Sequence, residues 1–143
     1  MTPLVIAVVD DDPLVLKIMT VLLTRNGYEV ILWSEVETAC EMIRQRHPSL
    51  VLLDLYMQGD PDAGLKVLEY LHADPTTTAI PVIIVSGTAD TLRGAASRLG
   101  TLAYTRLLKP VPFQTLLDHV ATALQQVPTT SEAKAGGKTW AVS

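Results

Sequence analysis

The stretch Leu50-Val51-Leu52-Leu53-Asp54 has the pattern of a short buried strand that ends in a carboxylate. Similar apolar runs precede Asp10, Ser86 and Lys109. Because the carboxyl ends of parallel strands meet at one edge of an open sheet, this pattern predicts a single crevice. Several carboxylates, one hydroxyl and one ammonium group are expected to line it.

The composition of the chain is that of one compact domain. The 143 residues are 48% hydrophobic and 18% charged, which excludes a disordered chain. The net charge of −4 offers no electrostatic footprint for nucleic acid or for an anionic membrane, so neither is an expected partner. Cys40 is the only cysteine, which rules out an internal disulfide and favours a reducing, cytoplasmic location.

Hydrophobic periodicity predicts five strands that alternate with five helices. The predicted strands are about 4–10, 28–33, 50–54, 81–86 and 102–108, and the predicted helices are about 12–26, 34–47, 63–73, 89–99 and 112–126. Such alternation is typical of an α/β domain with a parallel sheet covered on both faces. Residues 1–127 are assigned to this domain. Residues 128–143, rich in Thr, Ser, Ala, Gly and Lys, are assigned to a tail or linker.

Local capping chemistry predicts where two helices begin. Asp12 is a natural N-cap for the first helix, with Pro13 at the first helical position, and Gly27 is expected to stop that helix. Ser34 and Glu37 have the spacing of a capping box at the start of the second helix.

The carboxylates expected in the crevice need a counter-charge. Two carboxylates about 4 Å apart repel by roughly 4 kcal/mol at an effective dielectric of about 20. Protons, Lys109 or a divalent cation would relieve this repulsion, and Mg²⁺ prefers oxygen ligands while it keeps several waters. The crevice is therefore a candidate site for Mg²⁺ as a cofactor, with Asp54 among its carboxylates.

Four motifs stand at the ends of the predicted strands: VVDDD at 8–12, VLLDLYM at 51–57, VIIVSGT at 82–88 and LLKP at 107–110. In this order they make the chain resemble the receiver domain of bacterial two-component response regulators over about residues 3–127. The resemblance implies a flavodoxin-like, doubly wound sheet with strand order 2-1-3-4-5. It also implies a signalling domain rather than an enzyme. Its partner would be a sensor histidine kinase or a histidine phosphotransfer protein.

The resemblance assigns a role to each residue of the metal site. Asp54 would accept the phosphoryl group. Asp11 would bind Mg²⁺ directly, Asp10 would act partly through metal-bound water, and the backbone carbonyl of Tyr56 would complete the ligand set.

The resemblance also implies a switch, in which Ser86 would hydrogen-bond the phosphoryl group and Lys109 would pair with it. Receivers usually carry an aromatic residue three positions before this lysine. Arg106 stands there instead, and Tyr104 lies two residues earlier. The usual aromatic coupling is therefore in question, and both residues are candidates for the switch. Receivers commonly use the face of the fourth helix, fifth strand and fifth helix for dimer or partner contacts, so a homodimer through this face is a further expectation.

The loop after the third strand differs from the family pattern. Gly64 comes ten residues after Asp54, where eight is usual, and Gln58 occupies a position that is usually proline. The loop is thus expected to be two residues longer. Its two extra carboxylates, Asp60 and Asp62, are expected to cap the following helix, and a perturbation of the metal site is the alternative.

Other interpretations of the same residues are open. Taken singly, the aspartates after the first strand could form a solvated turn and a helix cap, and Lys109 could be an ordinary surface lysine. A degenerate receiver that binds a partner without phosphorylation also fits, since Arg106 and the longer loop depart from the family. The three histidines are expected to be solvated, so no phosphoryl donor is evident within the chain.

A haloacid dehalogenase-type phosphatase is the rival from another class. Its acidic signature is loosely matched by Asp10-Asp11-Asp12-Pro13-Leu14. After Lys109, however, the only acidic residues are Asp118 and Glu132. The second metal-binding acidic pair of that family is missing, and the family would leave Asp54 without a role.

Overall fold

The computed structural model describes residues 3–87 and 105–125, which form five strands and four helices. In chain order these are β1 Val5–Val9, α1 Pro13–Arg25, β2 Glu29–Trp33, α2 Val36–Arg46, β3 Leu50–Asp54, α3 Ala63–Ala73, β4 Val82–Ser86, β5 Thr105–Leu108 and α4 Phe113–Leu124. The helix predicted over about 89–99, Tyr104 and the segment 128–143 lie outside the described residues.

The five strands form one parallel sheet with the order β2-β1-β3-β4-β5. This confirms the predicted flavodoxin-like, doubly wound arrangement. The chain runs outward from β1 to β2 on one side and from β3 to β5 on the other. The loops that follow β1 and β3 therefore leave in opposite directions, which opens a crevice at their carboxyl ends.

Helices cover both faces of the sheet and create two apolar cores. Ala7 and Val9 of β1 pack with side chains of α2 and α3, whereas Ile6 and Val8 pack with side chains of α1 and α4. This division follows from the strand geometry, in which successive side chains point to opposite faces. The central strands β3 and β4 are buried at every position, as expected for a sheet covered on both sides.

The predicted boundaries of the first helix are confirmed. Asp12 accepts a hydrogen bond from the N–H of Leu14 at 2.9 Å, and Pro13 is the first helical residue. The helix ends at Arg25, and Gly27 adopts a φ of +90° two residues later.

The predicted capping box at Ser34 and Glu37 is wrong. Within residues 3–87 the second helix begins at Val36, its N-cap is the extended Glu35, and no side chain caps it. The backbone carbonyl of Glu35 accepts the first helical bond, from the N–H of Ala39 at 3.0 Å. Because the helix starts one residue later than the box requires, Glu37 is its second residue and cannot close the motif.

The expectation that all three histidines are solvated is correct for His47 and His72 but wrong for His119. His119 is buried because it follows Leu116 by three residues and precedes Val120 by one, on the face of α4 that packs against the sheet.

None of the helices in residues 3–87 and 105–125 is long and apolar enough to cross a membrane.

Candidate functional site

Three carboxylates meet at the carboxyl ends of β1 and β3. Asp10 and Asp11 directly follow β1, and Asp54 is the last residue of β3. One oxygen atom from each lies within 4.8 Å of one from the others. Asp10 and Asp54 are buried, whereas Asp11 is exposed. The structure thus brings together the three aspartates that the strand pattern predicted to share a crevice.

Each carboxylate accepts a hydrogen bond from a backbone N–H group. The pairs are Asp12 N to Asp10 Oδ1 at 2.9 Å, Tyr56 N to Asp54 Oδ1 at 3.3 Å, and Gln58 N to Asp11 Oδ2 at 2.6 Å. The first two pairs are local, but the third joins the loop after β3 to the loop after β1. These bonds orient all three groups through one oxygen each.

Lys109 supplies a positive charge to the cluster. Its Nζ lies 3.3 Å from Asp10 Oδ2 and 3.3 Å from Asp54 Oδ2. The N–H of Lys109 also donates to the backbone oxygen of Ser86 at 2.6 Å, which joins the ends of β4 and β5. One ammonium group faces three carboxylates, so the cluster keeps an excess of negative charge.

The pKa values of Asp54 and Lys109 are shifted by this crowding of charges. Burial, and then the negative charge of Asp10, raise the pKa of Asp54 even though Lys109 pulls in the opposite direction. Burial alone would lower the pKa of Lys109, but Asp10 and Asp54 outweigh it and raise that pKa. The ionised site is therefore under electrostatic strain that a further cation would relieve.

The donor set suits a hard divalent cation. Asp10, Asp11 and Asp54 offer carboxylate oxygens, two of them from buried side chains, within reach of a common point. Mg²⁺ favours such oxygen ligands and needs only a few from the protein. The residues present fit the Mg²⁺ that the sequence predicted.

Ser86 lies at the end of β4, one residue beyond the register pair of Asp54 and Val85. Its side chain is buried. Arg106 pairs in register with Ile84 on the edge strand β5, and its side chain is exposed. Ser86 therefore stands at the level of the crevice, while Arg106 lies two residues lower along the sheet. Tyr104, the other switch candidate, lies outside the described residues.

The loop between β3 and α3 contains a tight turn. Met57 and Asp60 exchange backbone hydrogen bonds of 3.2 and 2.9 Å, while Gln58 and Gly59 have φ values of +54° and +76°. Positive φ at both central residues is the signature of a two-residue type I′ turn. The buried side chain of Met57 fixes this turn against the core.

The two extra carboxylates of this loop do not join the metal cluster found among the described residues. Asp60 accepts from the N–H of Asp62 at 2.8 Å and pairs with Lys66 Nζ at 2.7 Å. Asp60 thus organises the start of α3. The expectation that Asp60 and Asp62 cap α3 is wrong within residues 3–87. Asp62 occupies the N-cap position without a capping side-chain hydrogen bond, and Asp60 bonds to the N–H of Asp62, which precedes the helix.

Sequence reasoning missed the contribution of Gln58, which was considered only as a substitute for proline. Its backbone N–H, rather than its side chain, contacts Asp11. The dipeptide Gln58-Gly59 after a buried strand is a turn signal that could have suggested a left-handed conformation. The partner of the N–H could not have been found in this way.

Comparisons with known proteins agree with this fold. Residues 6–121 match the family model of the response regulator receiver domain. Protein PilH of Pseudomonas aeruginosa is 33% identical over 120 residues, which cover 83% of this chain and 96% of PilH. The polar-differentiation response regulator DivK of Brucella ovis is 30% identical over 123 residues, covering 83% of this chain and 94% of DivK.

Solved structures of receiver domains have the same fold. The BeF3-activated receiver domain of Klebsiella pneumoniae RstA superposes with a TM-score of 0.73 at 26% identity, and the match covers 85% of this chain and 99% of that one. A receiver domain protein of Clostridium thermocellum gives 0.75 at 25% identity, with coverages of 86% and 95%. The fold is that of a receiver domain. The chain belongs to the response regulator receiver domain family.

Proposed function

We propose that this chain is the phosphoacceptor receiver of a two-component signalling system. Asp54 accepts a phosphoryl group from the histidine of a sensor kinase or a histidine phosphotransfer protein, with Mg²⁺ as cofactor. The observation that carries the proposal is the convergence on Asp54 of Asp10, Asp11 and Lys109, with the carboxylate oxygens within 4.8 Å and the ammonium group at 3.3 Å.

The transfer requires one bond to form and one to break. A carboxylate oxygen of Asp54 attacks phosphorus while the bond between phosphorus and the donor imidazole nitrogen breaks. The imidazole leaves as a neutral group because its other ring nitrogen carries a proton taken from solvent. The hydrogen bond from the N–H of Tyr56 holds Asp54 Oδ1, which restricts the rotation of the nucleophile.

Positive charge around the phosphoryl oxygens favours the transfer. Lys109 is already paired with Asp54, and it can move its pairing to a phosphoryl oxygen as the aspartate loses its charge. Mg²⁺, held by Asp10, Asp11, Asp54 and the backbone carbonyl of Tyr56, would supply further charge neutralisation. Ser86, at the end of β4, donates a hydrogen bond to the new acyl phosphate.

The output is a change in partner binding. Contacts of Ser86 and Lys109 with the phosphoryl group would favour one arrangement of the segment between β4 and β5, where the two strand ends are already joined by the bond from Lys109 N to Ser86 O. Arg106 on the exposed edge strand, together with Tyr104, is the phosphorylation-sensitive element of this surface. The partner is a second copy of the chain or an acidic protein that contacts the face of the predicted helix 89–99, β5 and α4.

Intact mass after incubation with acetyl phosphate tests the central claim. The wild-type chain is expected to gain one phosphoryl group with Mg²⁺ and none with a chelator, and Asp54→Asn is expected to gain none. Asp118→Asn is the matched control, because Asp118 is an exposed aspartate of α4 that lies outside the carboxylate cluster. An unmodified wild-type chain would favour a receiver that works without phosphorylation.

Arg106→Ala tests the output. The variant is expected to retain phosphorylation at Asp54 and to lose phosphorylation-dependent association, which sedimentation at two salt concentrations would measure. Unchanged association without salt dependence would remove Arg106 from the switch.

A further inference from the structure

Asp11 is held by a residue from the opposite loop of the crevice. Its Oδ2 accepts a hydrogen bond of 2.6 Å from the N–H of Gln58, 47 positions further along the chain. Asp11 itself is exposed and stands at the start of a loop, so its rotamer has few packing constraints. Among residues 3–87 and 105–125, the bond from Gln58 restricts this carboxylate.

The turn that presents this N–H is firmly anchored. Met57 is fully buried on one side of it, and Met57 and Asp60 bond to each other through their backbones. Asp60 also forms an exposed ion pair with Lys66 Nζ at 2.7 Å. Gln58 adopts a φ of +54°, an unfavourable conformation for a residue with a side chain, and this conformation aims its N–H at Asp11.

We infer that Gln58 is a positioning residue for the metal site, acting through its backbone N–H on Asp11. The inference rests on the proposed function, in which Asp11 is a ligand of Mg²⁺. The bond to Oδ2 restricts the rotation of the Asp11 carboxylate, one oxygen of which lies within 4.8 Å of Asp10 and Asp54. Hydrogen-bond partners behind a metal ligand typically change metal affinity by about 10- to 100-fold when they are lost. The type I′ turn in the loop after β3 thus positions Asp11, the metal ligand in the loop after β1.

Two substitutions at the same position separate the N–H from the side chain. Gln58→Pro removes the N–H and also moves φ from +54° to about −65°, whereas Gln58→Gly keeps the N–H and tolerates a positive φ. Mg²⁺ affinity measured by calorimetry is expected to fall at least about 10-fold in Gln58→Pro. Affinity in Gln58→Gly is expected to stay close to that of the wild type. Equal affinities in all three proteins would overturn the inference.

Because proline also changes the backbone of the turn, a double-mutant cycle with Asp11→Ala is needed. If Gln58 acts through Asp11, Gln58→Pro will cause no further loss of Mg²⁺ affinity once Asp11 is replaced. The same loss in both backgrounds would show that the turn acts by another route and would overturn the inference.

Amide hydrogen exchange in the metal-free protein gives an independent readout. The N–H of Gln58 is expected to be protected in the wild type and to lose that protection in Asp11→Ala. Equal exchange in both would contradict the contact. A wild-type chain that does not bind Mg²⁺ would instead contradict the proposed function, and the inference would fall with it. If Mg²⁺ binding depends on Asp11 but not on Gln58, the inference fails while the proposed function stands.

Discussion

Gly64 lies directly against the backbone of Asp54. A β-carbon at this position would be 2.4 Å from the Asp54 carbonyl oxygen and 2.6 Å from the Leu55 Cα atom. The N–H of Gly64 also donates to the carbonyl of Leu55 at 2.9 Å. Only glycine allows the first turn of α3 to pass so close to the end of β3, so this residue seats the helix beside the candidate phosphoacceptor.

Gly64→Ala is therefore expected to destabilise the protein by about 3 kcal/mol, since the added methyl group meets backbone atoms that cannot rotate away. Gly27→Ala is the matched control: its φ of +90° is strained for alanine, but no heavy atom of the described chain lies within 4 Å of the new methyl group. The control should cost about 1–2 kcal/mol. Urea denaturation of both variants measures the difference, and equal losses would contradict the packing argument.

Asp54→Asn is expected to stabilise the metal-free protein at neutral pH. The substitution removes a charge from a group of three carboxylates, and such repulsion is worth about 1 to 4 kcal/mol per close pair before the lost contact with Lys109 is subtracted. A net gain of about 1 kcal/mol in the free energy of unfolding would follow. Glu41→Gln, which makes the same charge change on an exposed helix face, should stay within about 0.5 kcal/mol. Thermal denaturation with and without Mg²⁺ checks the prediction, and Mg²⁺ should stabilise the wild type more than Asp54→Asn.

The protein is expected to lose stability in mild acid because of His119. Burial lowers the pKa of this histidine below its usual value of 6.5, although Asp118 partly opposes the shift. The unfolded chain then binds a proton more readily than the folded chain, so stability is full above pH 6.5 and falls as the pH drops from there towards the folded-state pKa. His119→Gln should remove this part of the pH dependence, whereas the exposed His72→Gln should leave it unchanged. Denaturation curves between pH 7.5 and pH 5 would decide between these outcomes.

Cys40 is expected to react slowly with alkylating reagents in the folded protein. Burial, with a smaller effect from Glu37, raises the pKa of its thiol from 9.0 to about 11. At pH 8 this shift alone lowers the thiolate fraction by about 100-fold, and thiolate is the reactive form. Iodoacetamide labelling followed by mass spectrometry, in buffer and in urea, measures the ratio. Comparable rates in both conditions would show that α2 opens readily.

The sequence by itself determined the architecture and most of the crevice. Short apolar runs ending in polar residues predicted the strands, and the resemblance to receivers supplied the order 2-1-3-4-5. Asp10, Asp54 and Lys109 could be placed together because each directly follows or ends a strand of a parallel sheet. The topology brings such positions to one edge whatever the details of the loops.

Contacts that depend on loop geometry and on side-chain environment were decided only by the tertiary structure. Ser34 and Glu37 match a capping motif, but the helix begins at Val36, one residue later than that motif requires. His119 is polar and yet buried, because helical phase and packing against the sheet outweigh its own preference for water. The bond from Gln58 to Asp11 joins two loops. Their proximity depends on the left-handed turn at Gln58 and on the close packing of α3 against β3 that Gly64 allows. A backbone N–H is present in nearly every residue, so nothing in the amino-acid letters marks which one will face a carboxylate once the chain has folded.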